Sequence, residues 1–335
     1  MQKPMDCVKA IVGPARSGTT WIGTIMDSHP NVVYRFEPFH RLRHHNPAVQ
    51  RIGKALRTQA ITDEDISEMY ATFIKAHPLT NKPPFFHKKS YPIISLAKKE
   101  LWPLSRLFPG VSKVYQALYS PKGLLPLVFK EVTFAKQMKT LLKRTSIPLV
   151  YIVRHPCATV ISDIKGQNQG KMPTGRQANL KALLENHDPI LLERYGSNLR
   201  KLTSIEKTAL LWRIEVESCV RAVQSSNKGI VITYEQFAED AYTQSERVFT
   251  HFGMNIADET VQFLDSLYDA KKDSVKNSIR SEGYRGNKYF TIYRNPKSQK
   301  NAWKAKISAN DRRTIEAIVK DSKVFDFCAS LGSWD

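Results

Sequence analysis

The residues best suited to bind an anion lie near the N-terminus, in a turn between an apolar run and a helical pattern. Residues 8–12 predict a buried strand, and the helical pattern begins at Thr19. Backbone N–H groups and the positive end of a helix dipole point into such a turn. The spacing Gly13-x4-Gly18 is that of a phosphate-binding P-loop, but Thr19 stands where a nucleotide triphosphatase has its lysine. The turn therefore predicts an anion site whose cation is Arg16, inside the turn.

A second basic residue follows the most apolar strand-like run of the chain. Residues 149–153 are apolar on both faces, as is typical of a central parallel strand, and Arg154 comes directly after them. Ser162 follows eight residues later, about two turns into the helix predicted to start at Pro156. Ligands of open α/β sheets bind beyond the carboxyl ends of the strands. We therefore expect Arg154 and Ser162 at the same edge as the glycine turn.

The same positions argue against a magnesium-dependent phosphoryl-transfer enzyme. Such an enzyme needs an acidic residue at a strand end to hold its metal. Here the strand ends in Arg154, and the P-loop lysine is replaced by Thr19. The pattern predicts a site that binds two separate anionic groups without a metal.

The charge of the chain also predicts an anionic partner. The 335 residues carry 51 Lys and Arg against 31 Asp and Glu, a net charge of +20, which favours acidic ligands or contact with an anionic surface. One basic run, residues 297–304, is predicted to close over a nucleotide as a flap, with Lys297 and Lys300 touching it. Nucleic acid is not the expected partner.

The order of apolar runs and helical patterns predicts the fold class. After the first strand, strand patterns lie at residues 32–36, 127–132, 149–153 and 229–234. Because amphipathic helices separate them, we expect an α/β fold, a P-loop-like doubly wound parallel sheet flanked by helices. We expect one domain over residues 1–335, with helical and loop insertions at 40–125 and 166–203 on the acceptor side.

The sequence carries no sign of export. The four cysteines (Cys7, Cys157, Cys219 and Cys328) are scattered without a C-x-x-C pair, which fits a reducing compartment. No apolar run approaches the ~20 residues of a membrane span, and the first residues pass directly into a strand pattern without a signal peptide. We expect a cytoplasmic protein.

At these motifs the chain resembles the sulfotransferases that use 3′-phosphoadenosine 5′-phosphosulfate (PAPS), in particular carbohydrate-type and bacterial members. Residues 15–21 (ARSGTTW) resemble the family's 5′-phosphosulfate loop, and residues 151–156 with Ser162 resemble its 3′-phosphate motif. Trp212 ahead of Tyr234-Glu235 is similar to a later helix–strand pair, and Trp303-Lys304 to the final segment.

The resemblance implies roles for individual residues. Arg154 and Ser162 would bind the 3′-phosphate, Trp21 would pack near the adenine, and Arg16 would also stabilise charge as the sulfuryl group leaves. The residues implied to hold the 5′-phosphosulfate are Arg16, Ser17, Gly18, Thr19 and Thr20.

The general base is the least determined part of the site. The Lys-Thr-His signature of cytosolic members is absent, because Lys130-Glu131-Val132 occupies the equivalent strand end. Glu37, in Phe36-Glu37-Pro38, resembles a carboxylate of carbohydrate-type and bacterial members, and we expect it to be the base. Lys130 is the alternative functional residue, a cation near the bridging oxygen. Glu37 is otherwise a helix cap or a partner of a nearby arginine.

The resulting hypothesis is sulfuryl transfer from PAPS to a hydroxyl acceptor, a carbohydrate or glycolipid, with no metal. Two other hypotheses remain open from the sequence. A P-loop nucleotide kinase would turn over ATP with magnesium. A non-catalytic polyanion-binding protein on a degenerate nucleotide fold would bind with steep salt dependence and transfer no sulfate.

Overall fold

A five-stranded parallel sheet forms the centre of the protein. The computed structural model describes residues 3–90, 98–172, 174–186, 188–268 and 296–334. The strands are β1 (Val8–Gly13), β2 (Val33–Phe36), β3 (Leu127–Val132), β4 (Leu149–Val153) and β5 (Gly229–Thr233). Their order across the sheet is β2-β3-β1-β4-β5. The predicted doubly wound parallel sheet is confirmed.

The strand order determines where a ligand fits. β1 lies between β3 and β4, and the chain leaves β1 toward β2 but leaves β4 toward β5, on the opposite side. The two connections therefore diverge beyond the carboxyl ends of β1 and β4, which opens a crevice there. The glycine turn follows β1 and Arg154 follows β4, so both line this crevice.

Helices connect the strands and continue after β5. Those before β3 are α1 (Thr19–Ser28), α2 (Pro38–Leu42), α3 (Pro47–Thr58), α4 (Asp63–Phe73), α5 (Lys98–Leu107) and α6 (Pro109–Tyr119). Those between β3 and β5 are α7 (Ala135–Arg144), α8 (Pro156–Asn168), α9 (Leu180–Glu185), α10 (Pro189–Tyr195) and α11 (Ser204–Gln224). The later ones are α12 (Tyr234–Glu239), α13 (Ala241–His251), α14 (Asp258–Tyr268), α15 (Pro296–Lys300), α16 (Ala309–Val319) and α17 (Lys323–Gly332). Within these described ranges, no helix has the length and apolarity that crossing a bilayer requires.

Side chains of the strands alternate between two cores, one on each face of the sheet. Ala10 and Phe129 join a core that includes apolar residues of α3, α4, α7 and α11. Ile11 and Val150 join the opposite core with residues of α1, α13 and α14. Because both faces are covered, the strands are apolar on both sides, which is the pattern that the sequence shows most clearly in β4.

Both predicted insertions contribute buried side chains to the core. In helices α3 and α4 of the first segment, Ile52, Leu56 and Met69 are buried in the core on one sheet face. The segment 166–203 contains α9, α10 and 3-10 turns, and its Leu180, Leu184 and Leu191 are buried in the same core. That either segment contacts an acceptor stays a prediction.

Candidate active site

The turn after β1 has the conformation of an anion-binding loop. Arg16 has φ 71° and Gly18, the N-cap of α1, has φ 98°, both in the left-handed region. A Cβ on Gly18 would lie 2.5 Å from the Tyr234 ring, and one on Gly13 would lie 2.5 Å from the carbonyl oxygen of Ile152. Glycine is therefore required at both positions, because it alone lets the loop approach its neighbours this closely.

Several buried donors around this loop have no hydrogen-bond partner among the described residues. Ser17 Oγ, Trp21 Nε1 and Arg154 Nε are buried and make no hydrogen bond within the described part of the chain. Buried polar groups are normally paired, so unpaired donors beside a loop and a helix N-terminus fit an anionic ligand. Thr19 is buried and Thr20 half-buried at the start of α1. The residues predicted to hold a phosphosulfate fit that group.

The two predicted phosphate motifs are joined by one hydrogen bond. Arg16 Nε donates to Ser162 Oγ over 3.0 Å, although the residues are 146 positions apart. The sequence hypothesis paired Ser162 with Arg154. In the structure, Ser162 is hydrogen-bonded to Arg16 of the glycine turn.

Arg154 lies on an aromatic ring that the sequence analysis did not assign to the site. Its guanidinium carbon is 4.2 Å from the centroid of Tyr234, and its Nη2 donates to the carbonyl oxygen of Gln299 over 3.2 Å. Tyr234 also contacts Gly18 and Trp21. A tyrosine directly after β5 was the available signal, since every strand of a parallel sheet delivers its following residue to this edge.

A buried polar cluster supports the loop after β4. His155 N–H donates to Glu235 Oε1 over 3.1 Å, Trp334 Nε1 donates to Glu235 Oε2 over 2.9 Å, and the His155 ring stacks on Trp303 at 4.3 Å. Burial, together with the charges of Arg312 and other cations, lowers the pKa of His155 to about 3. The imidazole is therefore neutral, and it acts as a packing element beside Arg154.

The predicted base is paired with the predicted cation. Lys130 Nζ donates to Glu37 Oε1 over 2.5 Å, and Arg41 Nε lies 3.6 Å from Glu37 Oε2. Lys130 is 2% exposed and Glu37 9% exposed. Burial raises the pKa of Glu37, but the charge and hydrogen bond of Lys130 and the charge of Arg41 outweigh it, so the pKa is lowered overall. Glu37 is thus a carboxylate at neutral pH.

A second buried carboxyl holds the segment that carries Glu37. Glu131 Oε1 accepts hydrogen bonds from Phe39 N over 2.7 Å and His40 N over 3.3 Å, in the first turn of α2. Burial, reinforced by the negative charge of Glu37, raises the pKa of Glu131 to about 8. Glu37 itself has φ 48°, a strained conformation for a residue with a side chain. Sequence analysis quoted Glu131 but gave it no role; its signal was a second ionisable residue within an otherwise apolar strand.

The predicted flap reaches the site through its backbone. Helix α15 presents the Gln299 carbonyl to Arg154, whereas Lys300 Nζ pairs with Glu239 over 3.1 Å and Lys297 is exposed. The contact of the two lysines with a nucleotide stays a prediction.

Metal-binding residues do not converge in this site. Within the residues that the structure describes, no three His, Cys, Asp or Glu side chains come together in a way that would hold an ion.

Comparison with known proteins assigns the chain to a family. The family model described as the sulfotransferase domain matches residues 9–327. The chain therefore belongs to the sulfotransferase family, and the class of enzyme predicted from the motifs, the PAPS-dependent sulfotransferases, is confirmed. No curated protein matches the chain.

Solved structures of similar proteins include three that differ in origin. The sulfotransferase domain from the curacin biosynthetic pathway is 13% identical, with a TM-score of 0.46 and coverage of 98% of each chain. Mouse sulfotransferase SULT7A1 complexed with PAP is 11% identical, with a TM-score of 0.48 and coverage of 98% of this chain and 89% of that chain. Retinol dehydratase in complex with retinol and PAP is 13% identical, with a TM-score of 0.43 and coverage of 96% and 82%.

Proposed function

We propose that this sulfotransferase moves the sulfuryl group of PAPS to a hydroxyl of a carbohydrate or glycolipid, with Glu37 as general base. The observation that carries the proposal is the arrangement at one sheet edge of two anion-binding groups and a buried carboxylate. The glycine turn and Arg154 both contact Tyr234, and Glu37 follows β2 at the same edge.

The donor site uses the residues of both motifs. Arg154 and Ser162 hold the 3′-phosphate, Trp21 packs toward the adenine, and Lys297 and Lys300 approach the nucleotide from α15. The 5′-phosphosulfate is held by Arg16, Ser17, Gly18, Thr19 and Thr20. Bound there, PAPS supplies an activated sulfuryl group and leaves as 3′,5′-ADP.

The chemical step needs one proton removed and one developing charge stabilised. A bond forms between the acceptor oxygen and sulfur while the bond from sulfur to the bridging phosphate oxygen breaks. Glu37 takes the acceptor proton, and Arg16 and Lys130 stabilise charge on the leaving oxygen. Because Lys130 is hydrogen-bonded to Glu37 and lowers the pKa of its carboxyl, the cation helps to keep the base ionised.

The acceptor class is supported by two features of the chain. Phe36-Glu37-Pro38 resembles the carboxylate motif of carbohydrate-type members, and Lys82, Arg41 and Lys130 all lie near the Phe36 ring. This basic surrounding, with the net charge of +20, favours an acidic glycan over a neutral acceptor.

The first experiment is calorimetric titration with 3′,5′-ADP in EDTA, with ATP and magnesium as the comparison. We expect 1:1 binding of 3′,5′-ADP without metal, and its loss in Arg154→Ala. Arg221→Ala is the matched control, since Arg221 is 59% exposed on α11. Preference for ATP with magnesium would favour a kinase. Salt-sensitive binding of polyanions without 3′,5′-ADP binding or sulfate transfer would favour a binding protein.

A further inference from the structure

Exposed apolar side chains are concentrated in one part of the protein. Of the seven large hydrophobic residues that are exposed among the described residues, five lie within residues 104–124, namely Leu104, Leu107, Phe108, Val114 and Leu124. Leu107 is 70% exposed and Phe108 55%, and they lie where α5 meets α6. Clustered exposure of this kind marks an interaction surface, whereas single exposed apolar residues are ordinary.

The inner side of the same two helices is firmly packed. Trp102, Tyr115 and Tyr119 form a buried cluster with Ala76. Trp102 Nε1 donates to the carbonyl oxygens of Pro78 and Asn81, over 2.9 and 3.1 Å. The α5–α6 hairpin (residues 98–119) is therefore anchored to the protein, and its outer apolar face is presented by a fixed scaffold.

The charge around this face selects the kind of partner. The exposed ionisable side chains of residues 98–124 are one carboxylate, Glu100, and four cations, Lys99, Arg106, Lys113 and Lys122. A second copy of this chain meeting the face would bring the same cations into contact with one another. A partner surface that has both an apolar interior and negative charge complements the apolar face and its cations instead.

We propose that the α5–α6 hairpin docks on an anionic lipid bilayer, with Leu104, Leu107 and Phe108 in the interface and Lys99, Arg106, Lys113 and Lys122 against the headgroups. Shallow insertion of apolar residues combined with attraction to anionic lipids is the usual basis of peripheral binding. The ten residues of α5 are too few to span a bilayer, which needs ~20, so the contact is interfacial. This inference does not depend on the sulfuryl-transfer proposal.

The test is flotation of the whole chain with vesicles of phosphatidylcholine alone or mixed with phosphatidylserine. We expect binding to the mixed vesicles that weakens as salt is raised. The double variant Leu107→Ser with Phe108→Ser should lose about tenfold or more of the vesicle affinity, because two apolar side chains no longer leave water. Lys113→Glu should weaken binding to the mixed vesicles. Ile190→Ser, which removes a side chain that is 65% exposed on α10, should have no effect.

Each alternative result has a distinct meaning. Absence of vesicle binding by the unmodified chain, or equal loss in Ile190→Ser, would overturn the proposal. A concentration-dependent dimer that disappears in the double variant would overturn it in favour of a second copy. The 3′,5′-ADP affinity should stay unchanged in every variant, which verifies folding; failure of the unmodified chain to bind 3′,5′-ADP would count against the donor site and not against membrane docking.

Discussion

Arg16 Nε donates a hydrogen bond to Ser162 Oγ over 3.0 Å, which ties the turn after β1 to helix α8. Arg16 has φ 71°, a conformation that costs free energy for a residue with a side chain. The bond to Ser162 therefore holds a strained cation in place. It also links the two motifs that we propose to bind the donor, so each positions a residue of the other.

Removing the serine hydroxyl tests this connection. In Ser162→Ala, we expect 3′,5′-ADP to bind about tenfold to a hundredfold more weakly, because a hydrogen bond to charged groups is lost. Calorimetric titration measures the change. Ser330→Ala, on the exposed side of α17, is the matched control. Unchanged affinity in Ser162→Ala would remove Ser162 from the donor site.

Replacing the proposed base separates binding from turnover. In Glu37→Gln, the affinity for 3′,5′-ADP should be retained while kcat falls by about 10²- to 10⁴-fold, the usual contribution of a positioned base. A radiolabelled sulfate transfer assay measures kcat. Glu68→Gln, a change in a surface ion pair with Arg51, serves as control. Full activity in Glu37→Gln would assign the base elsewhere.

The charge of Lys130 should set the pH at which the base becomes active. In Lys130→Met, burial acts on Glu37 without the opposing cation, so the pKa of Glu37 rises and the acid limb of the kcat/KM profile moves to higher pH. Arg41→Met should move the limb less, because Arg41 is more distant and 42% exposed. NMR titration of the Glu37 carboxyl measures the same shift if the variant turns over too slowly. A pKa of Glu37 that does not rise would contradict this account of the pair.

The glycine at the start of α1 can be tested against a second glycine in the same backbone region. Gly18→Ala adds both strain at φ 98° and a clash with Tyr234. We expect the free energy of unfolding to fall by more than the about 1–3 kcal/mol that backbone strain alone costs. We also expect the variant to lose 3′,5′-ADP binding. Gly123→Ala has φ 84° but no neighbour within 4 Å, so only the strain is added. Denaturant unfolding compares the two. Equal losses would mean that the contact with Tyr234 is unimportant.

The buried Glu131 should make stability depend on pH. Its pKa is raised from 4.5 to about 8 in the folded state, so between these values the unfolded chain releases a proton that the folded chain keeps. The contribution of Glu131 to the free energy of unfolding is therefore complete below pH 4.5 and is lost as the pH rises toward 8. Glu131→Gln keeps an oxygen for Phe39 N and His40 N but has no proton to release, so denaturant midpoints should fall less steeply over this range. An unchanged slope would show that Glu131 is ionised when folded.

The parts of the site that were predictable lie within single stretches of sequence. Gly13, Arg16 and Gly18 lie in one strand–turn–helix unit, and Arg154 directly follows the most apolar strand. For these, apolar runs and turn residues determine the local structure, and the parallel sheet brings the strand ends together.

The parts that were missed depend on contacts between distant segments. Phe36 and Lys130 are register partners of β2 and β3, and this pairing brings Lys130 to Glu37, 93 positions away. No local pattern encodes that register. The pairing of Lys300 with Glu239 likewise comes from the packing of α15 on α12. The presence of a lysine at position 300 therefore gave no indication of where its side chain lies.

The Tyr234 ring, close to Gly18 on one side and 4.2 Å from the Arg154 guanidinium, has an evolutionary consequence. A larger residue at position 18 is compatible with the fold only if the side chain at position 234 becomes smaller. That change would remove the aromatic ring that the Arg154 guanidinium contacts. The three positions should therefore vary together among related sequences, with a glycine at 18 accompanying an aromatic residue at 234 wherever the arginine is retained.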